Sequence, residues 1–117
     1  MAIKRFKSNK RMSQAVVHND TLYTAGQVAL TAPGESVGNQ TKAILAEIDQ
    51  LLADAGSDKS RIISATIWLA SMDDFAEMNT IWDEWVLIGE TPTRACVESK
   101  LATPDFAVEI AIIAALD

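Results

Sequence analysis

The chain has 117 residues, 49% of them hydrophobic, and carries sixteen acidic against ten basic side chains for a net charge of −6 at pH 7. One domain of this length, residues 1–117, leaves about a third of its extended surface in water; with no 18-residue apolar run and no secretory-type stretch near its N-terminus, it is expected to be cytoplasmic, off the membrane and oligomeric. Half of the ten basic residues are Lys4, Arg5, Lys7, Lys10 and Arg11, while every acid lies at Asp20 or later, so the body of the domain is too acidic to suit a nucleic-acid partner.

A short strand is expected over residues 3–6. Residues 12–18 and 21–25 are β-prone, and Asn19-Asp20 between them tolerates the left-handed backbone of a tight hairpin. His18 stands at that corner and reads as a turn residue, because no carboxylate or cysteine is near it in sequence. Gly26 follows the second strand, and residues 31–38 read as a loop. Ile44, Leu45, Ile48, Leu51, Leu52 and Ala55 recur at helical spacing over residues 41–55, with Gly56 where a helix C-cap is wanted. Residues 62–69 are β-branched and of strand length. Asp73 and Asp74 are expected to cap a second helix, whose Phe75, Met78, Trp82 and Trp85 form a stripe read as core, ending near Gly89. Residues 93–98 and 106–116 finish the chain as two strands joined through Pro104-Asp105.

This order predicts an α+β fold: one mixed sheet with two helices on a single face. A domain this small has no third layer for the other face, so a second copy of the chain is the natural cover.

Strand alternation puts Phe106, Val108, Ile110 and Ile112 against the helices and turns Glu109 to the bare side between Ala107 and Ala111. The same rule gathers Arg94, Cys96 and Glu98 on one face of residues 93–98. Two readings of the charges follow. Arg94 and Glu109 could form an ion pair stitching adjoining strands. Alternatively Arg94 offers a planar fork for a substrate carboxylate, and Glu109, meeting it across adjoining strands, is left to handle a proton or a water in a cavity shared by neighbouring chains. Cys96 reads as a small buried thiol, since no histidine base lies near it in sequence. One cysteine and one histidine make no zinc cluster, so no metal is expected.

The stretch Thr91-Pro-Thr-Arg-Ala-Cys-Val-Glu, followed by Phe106-Ala-Val-Glu-Ile, resembles the C-terminal motif of the reactive-intermediate deaminase family, also called RidA or YjgF. Ala25-Gly-Gln27 and Asp74-Phe-Ala-x-x-Asn79 support the resemblance, which spans effectively the whole chain. It implies a chorismate-mutase-like homotrimer with clefts between subunits. It also implies hydrolysis of amino-acid-derived enamines and imines to 2-keto acids and ammonia, with no cofactor or metal. By position, Arg94 would grip the substrate carboxylate and Glu109 would position or deprotonate water. Cys96 would line the pocket, Asn79 would support the cleft, and Met12, Ala25 and Gly26 fall at substrate-binding positions. Met12 replaces a tyrosine and Ala25 a serine of the best-known members, which implies a divergent subfamily with a more apolar pocket.

Overall fold

The computed structural model describes residues 2–116. Three antiparallel strands open the chain: β1 (Lys4–Phe6), β2 (Ala15–His18) and β3 (Thr21–Thr24). Asn19 and Asp20 join β2 to β3 at φ 51° and 59°, the paired left-handed residues of the expected turn.

Helix α1 (Val37–Asp54) starts four residues earlier than its apolar spacing suggests. Ser36 caps it by accepting from the Asn39 amide. The first turn is further fixed by Gln40, 1% exposed, whose amide nitrogen donates to the Glu35 and Asp105 carbonyls while its oxygen accepts from Ala107. Val37 and Gly38 are therefore helical rather than part of the expected loop. Ile44, Leu45, Ile48, Leu51 and Leu52 are buried as their spacing requires, and Gly56 adopts the left-handed C-cap conformation at φ 82°.

Strand β4 (Ile62–Leu69) leads into helix α2 (Phe75–Trp85), and the chain ends with β5 (Thr93–Glu98) and β6 (Val108–Ala115). The cap of α2 differs from expectation. Asp74 occupies the N-cap position but makes no side-chain cap bond; Ser71 and Glu98 instead hold the preceding turn by accepting from the Asp73 and Met72 amides. Met78 and Trp82 are buried in the core, and Phe75 and Trp85 pack on its margin.

The six strands form one mixed sheet in the order β1-β2-β3-β6-β4-β5, with β4 and β5 parallel and the other pairs antiparallel. Val108, Ile110, Ile112 and Ala114 of β6 join Ala65, Ile67 and Leu69 of β4 and both helices in a single core. Alternate residues of the same strands face away from the helices. That second face carries Val16, Tyr23, Ile113, Ala111, Thr66, Trp68 and Val97, with Glu109 among them.

Candidate functional site

The site residues fall into two groups on opposite faces of the sheet. The first surrounds Glu109. Between the pairs Tyr23 with Ile113 and Gln27 with Ile110, four steps on one strand are matched to three on the other, so a β-bulge falls at Ala25-Gly26 opposite Ala111. Two side chains repair the ladder around it. The Thr24 hydroxyl accepts from the Ile112 amide at 3.0 Å, and Gln27, 6% exposed, donates to the Gln14 side chain and the Ala25 carbonyl.

The bulge lays Gly26 directly beneath the Glu109 side chain. A Cβ at Gly26 would collide with Oε2 and stand 2.8 Å from Cδ. Glycine lets the Glu109 side chain lie this close, and the reason is the close approach rather than an unusual φ. Burial pushes the Glu109 carboxyl above its usual value of 4.5. Glu109 makes no salt bridge among the described residues, and its cross-strand neighbour is Trp68. Ala25 adjoins this group. Met12 lies outside the expected strand, 40% exposed in the loop before β2, where its amide donates to Asn9 Oδ1.

The second group lies on the helix-covered face at the sheet edge. Arg94 pairs with buried Ala65, and its guanidinium carbon stands 5.8 Å from the Phe75 ring centroid and 5.4 Å from that of Trp82. The aromatic stripe read as core is thus also the shelf that carries Arg94. Arg94 is exposed and forms no salt bridge among the described residues. Cys96, two residues on along the same face, is a half-buried free thiol; burial raises its pKa, and the nearby guanidinium partly opposes that rise. Asn79 sits on α2 one turn after Phe75 and one turn before Trp82.

Arg94 and Glu109 do not meet within one chain. Residues 93–98 and 106–116 were expected to adjoin, but β4 lies between β5 and β6. Arg94 stands level with Ile112, whereas Glu109 pairs with Trp68, about 10 Å further along the sheet at ~3.3 Å per residue. The intrachain ion pair is therefore removed, and so is the expected meeting of the two groups across adjoining strands. Among the described residues, concavities lie elsewhere, around Asp49 and Trp85, beside Gln14 and Gln27, and against Pro104 and Phe106. No group of acids, histidine and cysteine among the described residues could hold a metal ion, and no described helix is long and apolar enough to cross a membrane.

Sequence reasoning missed Thr24, Gln14 and Trp68. Gly26 in a strand-like stretch was the available signal for the bulge; no local signal pairs Arg94 with the α2 rings.

The profile of the family described as endoribonuclease L-PSP matches residues 2–116. A RutC family protein of Haemophilus influenzae is 47% identical over 114 residues, covering 97% of this chain and 98% of its own. The RutC family protein YoaB of Escherichia coli is 44% identical over 116 residues, covering 99% of this chain and all of its own. A YjgF family member from Neisseria meningitidis superposes with a TM-score of 0.96 at 45% identity, over 100% of this chain and 97% of that one. Together with the Arg94 and Glu109 motifs on their strands, these likenesses make the chain a member of the RidA/YjgF family, to which the RutC and L-PSP names also attach.

Proposed function

We propose that this protein hydrolyses enamine or imine intermediates derived from amino acids, releasing a 2-keto acid and ammonia. The observation that carries the reading is Arg94: an exposed guanidinium, held on an aromatic shelf at the sheet edge and unpaired among the described residues, is a vacant fork for a carboxylate. Because Glu109 leaves from the opposite face, the reading requires two copies. Arg94 of one copy and Glu109 of its neighbour would meet in a cleft between them, in a chorismate-mutase-like trimer whose helix-free sheet faces pack inward.

In that cleft Arg94 holds the substrate carboxylate and so sets the imine carbon beside a water oriented by Glu109. The water oxygen bonds to the imine carbon as its proton passes to the Glu109 carboxylate, and the C=N electron pair moves to the nitrogen, which takes that proton back from the Glu109 carboxyl to give the carbinolamine. In the collapse the carboxylate moves the hydroxyl proton to the nitrogen, the carbonyl forms, the C–N bond breaks and ammonia departs. A carboxyl raised by burial exchanges protons closer to neutrality, a contribution of roughly 10²–10⁴-fold. The chemistry needs no metal or cofactor.

The test is keto-acid appearance from imines generated in situ by an amino-acid oxidase or dehydratase, with several side chains. Acceleration over buffer that is lost in Arg94→Ala supports the proposal; no acceleration with any imine, or an undiminished Arg94→Ala, refutes it. A second reading, a trimer that binds small 2-keto acids without turnover, is favoured by Met12 and Ala25, which offer no polar side-chain groups. Calorimetry with pyruvate separates the two, since binding without catalysis supports only the second.

A further inference from the structure

Asn79 presents the one buried side-chain oxygen or nitrogen among the described residues without a hydrogen-bond partner: its Oδ1 is closed off from solvent and accepts nothing. Such an acceptor is destabilising if it stays unpaired. A cation stands on the same side of its helix. Phe75, Asn79 and Trp82 follow one another at helical spacing on one side of α2. The Arg94 guanidinium lies within 6 Å of both flanking rings, at 5.8 and 5.4 Å, and so on the side of α2 that carries Asn79. Two of the five guanidinium donors suffice for a bidentate carboxylate, so others are free to turn inward.

We infer that Asn79 is a positioning residue: a small turn of the Arg94 side chain on the Phe75–Trp82 shelf lets Oδ1, unpaired in this structure, take a hydrogen bond from the guanidinium, fixing its rotation so that the outer edge of the fork faces a carboxylate. The rings supply attraction with little preference for rotation about the guanidinium plane; the amide supplies the orientation. The carboxylate's part rests on the function proposed above, whereas the Arg94–Asn79 contact does not.

Asn79→Leu removes the acceptor at similar volume, and Asn79→Asp keeps an oxygen there. In nitrogen-15 spectra of the full chain, the Arg94 Nε–Hε signal should exchange slowly with water in the wild type and in Asn79→Asp, and quickly in Asn79→Leu. Pyruvate binding by calorimetry should weaken about tenfold in Asn79→Leu, with no further loss in an Arg94→Ala background. The inference is overturned by an Arg94 signal indifferent to both substitutions, by equal losses with and without Arg94, or by a crystal structure that pairs Oδ1 with a donor from a neighbouring copy. Should the wild type bind no pyruvate and accelerate hydrolysis of no imine, the proposed function is refuted while the Arg94 signal still decides the contact. Should Asn79→Leu not fold, Asn79→Ala read in the same way replaces it.

Discussion

Gly26→Ala is the sharpest probe of the Glu109 group, because two opposing effects can be worked out separately. An added Cβ meets Glu109 Oε2 and stands 2.8 Å from Cδ and 3.0 Å from Cγ. Since Cγ is included, swinging the carboxylate alone is not enough; the side chain must leave its rotamer, at about 0.5–1.5 kcal/mol. Gly26 is not among the positive-φ glycines, so alanine also gains about 0.4–1 kcal/mol by restricting the unfolded chain. The two nearly cancel, and Gly26→Ala should change stability by less than about 1 kcal/mol. In a Glu109→Ala background the collision is gone, and the same substitution should stabilise by the full ~0.4–1 kcal/mol. Urea unfolding of the four proteins reads that coupling. On the proposed function, imine hydrolysis should fall about 100-fold despite the intact fold, because the carboxylate is displaced by an ångström or more. Equal stability changes in both backgrounds would show that Gly26 and Glu109 do not contact. A wild-type rate in Gly26→Ala would show that the carboxylate position is irrelevant to the chemistry.

Burial raises the Glu109 pKa above 4.5, so its stabilising contribution is complete below that value and is lost as pH rises through the folded-state pKa. Glu109→Gln should remove this slope, so that urea unfolding between pH 4 and 7 shows the variant gaining on the wild type as pH rises; parallel curves would contradict the burial argument. Thr24→Val strips the acceptor from the buried Ile112 amide and should destabilise by about 1–3 kcal/mol, whereas Thr24→Ser should retain most of it; equal losses in urea would place the effect in packing instead. The acidic body predicts no salt-dependent affinity for single-stranded RNA, and micromolar filter binding at physiological salt would refute that.

What the sequence makes legible follows the range of the forces involved. β4 and β5 begin and end where their composition predicts, and the alternation that turns Glu109 from the core is visible in β6 as burial on every second residue. The first turn of α1 is hidden because Gln40 and Ser36, not an apolar stripe, stabilise it. Sheet order is hidden for a different reason. The chain leaves β5 and returns as β6 on the far side of β4, a pairing decided by the whole core, and nothing local to residues 93–98 or 106–116 records it. Both site residues could therefore be named while their separation could not.

That separation bears directly on the proposed chemistry. Had Arg94 and Glu109 met within one chain, each would have satisfied the other, the carboxylate pKa would have been driven down, and the fork would have been occupied. Placed on opposite faces, Arg94 retains a vacant fork and Glu109 a proton affinity raised by burial. If a neighbouring copy covers the helix-free sheet face, as proposed, Glu109 loses more water and its pKa climbs further, while the incoming Arg94 opposes the climb only to the extent that no substrate carboxylate neutralises it. Substrate binding would then raise the proton affinity of Glu109 at the moment it must take a proton from water. The prediction is that pyruvate binding to the assembled protein is accompanied by proton uptake near the free-enzyme pKa of Glu109, read as a buffer-dependent calorimetric enthalpy. That dependence should vanish in Glu109→Gln; uptake that persists in the variant would assign the proton to another group and sever the link between the two faces.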